Sequence, residues 1–445
     1  MMCLMTKIKV AIIGAGPSGF GAAEVLRSKP YRDAFEFTIY ESNNYVGGKC
    51  RTVLRDGAVA NGKMGGYEVG AGYIPTHARS YKDLMDIIKR YDVSLRSIKQ
   101  PGREIFDFVE HGGRRVSIKQ LKPRNFIPVL SSYLSYAFTY VFCNGNKNAG
   151  FTHLSKRLLT PLNPSNIGVY KRFSHVVQGF GYADIDDLYL RPMLPYYHRY
   201  LDPMMRPSLS MINGGTQGLW AKVTEHYSAQ EIKLNTQVLS IERFEDRVVV
   251  ATKDKSEAYD YLIIATPLKP TLKYLDFTPE EKMFVERMKH NHFVTVLCEV
   301  TGINAIATFN LSACNDRSRV GDVVFCHKEH ADQDTVTLNL YVDPKAPLDD
   351  AAILDSVERS LRDDFDAELL NRSTAKIFHW EDYFGHLGIS ELQNAWYDTF
   401  DRDLQGKKRT LFVSSGLHME TVGASVQYAT RMTKEYAESW VSQKT

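Results

Sequence analysis

Three glycines and one acid carry the first legible chemistry of this 445-residue chain. Gly14, Gly16 and Gly19 stand in Gly14-Ala15-Gly16-Pro17-Ser18-Gly19, a G-x-G-x-x-G spacing. In such a loop the first glycine permits a tight turn and the second lets backbone approach a pyrophosphate. The third lets a helix pack closely on a strand. Glu41 follows at about the twenty-residue interval at which an acid takes the hydroxyls of a ribose. Next comes Val46-Gly47-Gly48-Lys49-Cys50-Arg51-Thr52, where a Gly-Gly pair and basic residues suit a loop folding back over the phosphates.

Those residues need a strand, a helix and a second strand to hold them. Ile8, Val10, Ile12 and Ile13 form a short apolar, β-branched run that reads as a buried parallel strand. Phe20 to Leu26 reads as the start of a helix, whose N-terminus offers unpaired N–H groups to an anion. Glu36 to Tyr40 reads as the second strand, ending at Glu41. Strand, glycines, helix, strand and acid in register make a dinucleotide-binding unit, a stronger signal than the glycines alone.

Composition narrows the remaining classes. At 44% hydrophobic and 24% charged, the chain can build a large globular core of two or three domains. A net charge of +3 from 55 basic and 52 acidic residues gives no electrostatic case for nucleic acid. Cysteines 3, 50, 143, 298, 314 and 326 show no C-x-x-C or zinc spacing, so no metal site is expected and they read as reduced thiols. The first strand begins almost at once, leaving no room for a signal peptide, and a cytoplasmic location is expected. The most membrane-like stretch, residues 126–143, contains Pro128 and is rich in Ser, Thr and Tyr. It reads as a greasy helical piece lining a cavity for an apolar substrate, with a transient membrane-surface contact as the alternative.

Further along, Tyr67-Glu68-Val69-Gly70-Ala71-Gly72 gives a small-residue turn after a short strand. Together with Gly47-Gly48-Lys49 it resembles the glutathione-reductase-type FAD enzymes of the flavin amine oxidase and phytoene desaturase group. That resemblance implies an α/β fold: a Rossmann-like FAD-binding domain with a mixed α/β substrate domain and a helical cap. Amphipathic residues 81–91 and the Tyr-rich 182–200 mark the cap at 81–207. The nucleotide domain is expected from 1–80, 208–275 and 405–445, and the substrate domain from 276–404. Strand candidates are 232–244, 248–252, 261–265, 294–300, 322–326, 335–342 and 410–414. Val426, Ala429, Met432, Tyr436 and Trp440 recur on one face of a final helix. In the resembled group the backbone of a residue such as Val238 contacts the adenine.

A narrower resemblance runs along nearly the whole chain. It is similar to FAD-dependent polyenoic fatty acid isomerases at 46–50, 67–71, Arg103-Glu104, Phe180-Gly181-Tyr182 and Gly215-Thr216-Gln217. The match continues through Tyr383-Phe384 with His386, Trp396-Tyr397, Gln405-Gly406 and the region of Tyr428. Arg103 matches the arginine that meets a fatty acid carboxylate, a task suited to a planar, permanently charged fork. Phe180 matches the aromatic beside the reacting alkene, where a ring face can stabilise positive charge. Tyr383, His386 and Trp396 are candidates for the cavity wall or simply for the core. The Gly-Glu that precedes the family's final helix, whose acid meets the flavin ribityl chain, reads Ser414-Ser415 here, so Ser415 takes that place. A gating aromatic falls near Met204 or Met205.

The resemblance implies non-covalent FAD and an apolar substrate, a free fatty acid. Hydride would leave an allylic carbon for flavin N5 and return at another carbon of the same molecule. Two alternatives stay open: a net oxidase or desaturase of an apolar or amine substrate that passes electrons to oxygen or a carrier, and a flavin-binding protein without turnover.

Overall fold

A computed structural model describes residues 7–54, 66–76, 81–98, 106–116, 178–182, 209–314, 316–330, 333–388, 390–391, 394 and 396–444. The chain divides into two compact units. One is Met1–Ser97, His198–Met288 and Trp396–Thr445; the other is Ile98–Tyr197 and Lys289–Ala395. The fold is α/β, with a parallel Rossmann-like sheet in the first unit and a mixed sheet in the second. Most of the stretch expected to form the cap, 117–177 and 183–208, lies outside the described residues, as does 126–143. Helix Lys82–Arg90, which begins that stretch, falls in the first unit.

The first unit is organised on five parallel strands in the order Ile232–Lys233, Phe35–Tyr40, Ile8–Ile13, Tyr261–Ile264, Thr410–Phe412. Ile8–Ile13 is buried except at Lys9, which explains its near-continuous apolar run. Helix Pro17–Arg27 starts inside the glycine motif, earlier than expected, because Pro17 at its first turn has no N–H to satisfy. On one side its Phe20 stacks on Trp220 of helix Gly215–Thr224, with ring centroids 5.1 Å apart. Burying a ring such as Phe20 contributes roughly 1.5–3 kcal/mol. On the other side Gly21 admits the final helix, Val422–Lys444: a Cβ there would meet the Val426 carbonyl oxygen at 2.9 Å. Val426, Ala429, Met432 and Trp440 of the expected apolar face are buried.

The run 232–244 is not one strand. It splits into Ile232–Lys233 in the parallel sheet and Val238–Arg243 in a three-stranded antiparallel sheet with Val248–Thr252 and Ser256–Tyr259. The break falls at Asn235, whose φ of +51° turns the chain; asparagine tolerates that left-handed region better than most residues. Arg243 then anchors this sheet from a fully buried position. It donates to Asp276 and Glu281, and Glu281 itself completes the capping box of helix Pro279–Glu286.

In the second unit the sheet order is Glu368–Leu369, Lys289–Thr301, Thr335–Val342, Val323–His327, Ala307–Asn310, Phe106–Glu110, Arg114–Val116. Lys376–His386 also pairs with Lys289–Thr301. The pairings are antiparallel except that of Ala307–Asn310 with Phe106–Glu110. Period-two alternation divides the faces. Val294, Val296, Cys298, Leu338 and Leu340 pack with Ile353 and Val357 of helix Asp350–Ser360 and with Leu361. The intervening Phe293, Asn339 and Tyr341, with Phe309 and Phe325, belong to the other, aromatic face. A register shift between Val323 and Phe325 lets both Val323 and Cys326 reach the aliphatic core.

Candidate functional site

In the first unit the glycine loop, Glu41 and the Gly-Gly loop come together. Gly14 has φ +104°, and its N–H donates to the Tyr40 carbonyl at 2.9 Å. Gly47, with φ +105°, donates its N–H to the Ala15 carbonyl at 2.8 Å, so the 46–51 loop does fold back over the first. Glu41 is buried. One of its oxygens accepts the Ala15 N–H at 2.9 Å, and the other accepts the Asn43 N–H at 2.9 Å and side-chain amide at 2.7 Å. An acceptor-only carboxylate at the strand end has the chemistry to take ribose hydroxyls.

Whether this cradle fits a dinucleotide is tested by its glycines. A Cβ on Gly19 would lie 2.0 Å from the Gly14 carbonyl oxygen, so the fold itself requires glycine there. Gly16 caps the helix with φ −87°, a value any residue can adopt, and a Cβ on it would meet only the Gly48 Cα, at 4.0 Å. Glycine at 16 is therefore not demanded by neighbouring protein atoms. It keeps clear the space in front of a helix N-terminus, where phosphate oxygens belong. The residues fit.

The other residues expected to hold the cofactor lie on three further segments of the first unit. Thr236 N–H donates to the Glu41 carbonyl at 2.8 Å, which draws the start of the strand carrying the buried Val238 beside Glu41. Lys49 makes an ion pair with Glu420, just before the final helix. Ser415 opens a short 3-10 turn, Ser415–Leu417, in which Ser414 Oγ accepts the Gly416 N–H at 3.5 Å. The Tyr397 hydroxyl steadies that turn through the Gly416 carbonyl at 3.2 Å. Gln405 binds both backbone groups of Phe412, accepting its N–H at 2.9 Å and donating to its carbonyl at 2.7 Å. Tyr397 and Gln405 thus serve as supports of the segment that enters the final helix. Trp396 lies under the Arg287 guanidinium, 4.6 Å from its ring centre.

Two motif residues turn inward. Glu68 accepts the Thr216 N–H at 2.7 Å and the Thr52 hydroxyl at 3.0 Å, so it caps helix Gly215–Thr224. Burial pushes the Cys50 thiol up to about 12, which keeps it protonated at neutral pH.

In the second unit the Phe180-Gly181-Tyr182 turn is fastened to the aromatic face by side chains from three strands. Tyr383 Oη donates to the Phe180 carbonyl at 3.0 Å, and Asn291 to the Gly181 carbonyl at 3.0 Å. Tyr341 Oη donates to the Gln178 carbonyl at 2.6 Å and also faces that of Tyr182. Asn339 reaches the Gly179 carbonyl at 3.4 Å. The Phe180 ring stands edge-on to Phe309 and Phe325 at 5.7 and 5.4 Å. Gly181 has φ +90°, and a Cβ there would meet the Tyr383 ring at 2.5 Å. His386 is buried and lies 2.8 Å from the Phe384 carbonyl. Arg103 lies outside the described residues, as do Met204 and Met205.

The pattern of the flavin-containing amine oxidoreductases matches residues 17–432. This chain belongs to that family. The family implies a flavin, FAD, for the cradle described above. Among curated proteins the chain is similar to 4,4'-diaponeurosporene oxygenase of Staphylococcus aureus, 26% identical over 303 residues. That match covers 61% of this chain and 58% of the relative, little more than half its length. Among solved structures, a CLA-producing fatty acid isomerase from P. acnes aligns with a TM-score of 0.80 at 19% identity, covering 96% of this chain and 98% of that one. Putrescine oxidase bound to putrescine aligns at 0.66 and 16%, over 98% of this chain and 99% of that one. Cyclohexylamine oxidase from Brevibacterium oxydans aligns at 0.67 and 16%, over 98% of this chain and 100% of that one. At these identities the alignments establish the shared fold.

Glu420 of this flavin-containing family member carried no signature in the sequence, because its partner lies 371 positions away. Thr421, by contrast, was findable: a threonine just ahead of a helical pattern is an N-cap signal, and its hydroxyl accepts the Ala424 N–H at 3.2 Å.

Proposed function

We propose that the protein is an FAD-dependent isomerase that shifts a double bond of a polyunsaturated free fatty acid, with FAD held without a covalent bond. The observation that carries this reading is the fastening of Phe180: four side chains fix the turn that presents it on an aromatic sheet face. A ring held that rigidly can keep an alkene in place and stabilise positive charge through its quadrupole. Arg103 is the residue assigned to the carboxylate. Gly16, Gly48 and Lys49 line the phosphate cradle, Glu41 takes the ribose, and Val238 and Ser415 border the adenine and ribityl ends. When bound, the flavin supplies hydride acceptance and return. The likeness to a fatty acid isomerase over nearly the whole chain adds support.

A second reading is favoured by the other relatives: net oxidation of an amine or an apolar polyene, as the names of the two oxidases and the diaponeurosporene oxygenase suggest. Anaerobic incubation with a panel of polyunsaturated fatty acids separates the two. The isomerase reading expects conjugated products of unchanged mass without oxygen. Substrates returned unchanged until oxygen is admitted overturn it.

A further inference from the structure

The Lys49–Glu420 pair joins two segments of the first unit that no backbone ladder connects. On one side, the Lys49 main chain is fixed: Gly47 is tied to Ala15, and the Lys49 carbonyl accepts the Ala71 N–H at 3.3 Å. Gly70 packs so tightly on that carbonyl that a Cβ would lie 1.9 Å from it. On the other side, Glu420 directly precedes Thr421, whose carbonyl accepts the Ser425 N–H at 2.9 Å at the start of the final helix. The side chains are 26% and 10% exposed, so the pair is shielded enough for one partner to matter to the other. Lys49 also follows Gly48, which faces Gly16 across the phosphate cradle.

We propose that Lys49 and Glu420 form an ion-pair clasp that holds the entrance of the final helix against the phosphate cradle and so governs how long FAD stays bound. Both are positioning residues, and the clasp rests on FAD binding and is independent of the substrate. The opposing role for Lys49 is direct attraction to the phosphates. The two roles predict opposite signs for one substitution. If Lys49 serves the phosphates, Glu420 competes for it, and Glu420→Gln should tighten FAD. If the pair is a clasp, Glu420→Gln should loosen FAD as much as Lys49→Met does.

The experiment is a double-mutant cycle on the full chain, following FAD release by recovery of flavin fluorescence and apoprotein melting in parallel. Each single variant should release FAD about tenfold faster, within the range contacting pairs show in such cycles. Lys49→Met with Glu420→Gln together should be no worse than either alone. The reversed pair, Lys49→Glu with Glu420→Lys, should release FAD more slowly than Lys49→Glu alone. Slower or unchanged release in Glu420→Gln overturns the clasp, as does simple additivity. Lowered melting of the apoproteins with unchanged FAD release reduces the pair to a structural contact and overturns it equally. A wild-type protein that takes up no FAD would instead overturn the cofactor assignment itself.

Discussion

At Gly19 an added Cβ would sit 2.0 Å from the Gly14 carbonyl oxygen, whereas at Gly16 it would meet nothing nearer than the Gly48 Cα at 4.0 Å. The same loop therefore contains one glycine required by the protein and one required by what the loop holds. Gly19→Ala should destabilise the apoprotein by at least the ~1–3 kcal/mol of an overpacked core, because the obstacle is backbone and cannot rotate away. Gly16→Val should cost the apoprotein only about 1 kcal/mol, through loss of a favoured N-cap residue. It should nevertheless abolish FAD uptake, since the side chain occupies the phosphate approach. Melting of both apoproteins with a parallel FAD titration checks the contrast; normal uptake by Gly16→Val would remove the pyrophosphate from this loop. Residues of this kind are legible in sequence because their spacing is local. Glu420 is not, because an acid before a helix means nothing until the fold brings Lys49 to it.

Elements are legible in the sequence where their period is strict and hidden where a single residue turns the chain. Thr335–Val342 matches its alternating pattern end to end, while Asn235 divides a run that looks continuous. The turn at Gln178–Tyr182 illustrates the same limit: its motif is local, but its donors come from strands more than a hundred residues away. Tyr341→Phe tests what that fastening does. Removing the hydroxyl takes away the one O–H shared by the Gln178 and Tyr182 carbonyls, the first of which keeps the Gly181 N–H, at a cost of about 1–3 kcal/mol in urea unfolding. If the turn positions Phe180 for catalysis, turnover per folded molecule should fall as well; unchanged turnover would make the turn merely structural. The segment before the final helix carries a pH limit of its own. Burial, partly offset by the Met419 and Val413 carbonyls, pushes His418 down from 6.5 to about 4. Between those values the unfolded chain binds a proton that the native chain does not, so stability is present above pH 6.5 and is lost as pH falls toward 4. The slope is at most about 1.4 kcal/mol per pH unit. His418→Gln should flatten the stability profile in that window, and a slope equal to wild type would show that His418 titrates normally.

At the scale of the whole molecule, the question is where the electrons go. An oxidase must hand them to a second substrate, so its turnover stops when the acceptor is removed. A redox-neutral isomerase returns the hydride to the molecule it came from and needs no acceptor. The isomerase reading carries a condition of its own, because the substrate carbocation it proposes has to be kept from nucleophiles. Water reaching such a cation would trap it as an alcohol, so exclusion of water is a condition of the chemistry. A bis-allylic fatty acid deuterated at the carbon that loses hydride should therefore give a conjugated product of unchanged oxidation level. Most of the label should appear at a new carbon. Turnover should continue without oxygen, and peroxide should stay far below one equivalent. Partial loss of label with sustained anaerobic turnover still supports return of hydride, because a hydrogen held on a heteroatom exchanges with water before it is given back. A product two hydrogens poorer, formed only in air with one equivalent of peroxide, would make this chain an oxidase. The fastened aromatic turn would then be a device for binding the substrate, with no part in returning what was taken from it.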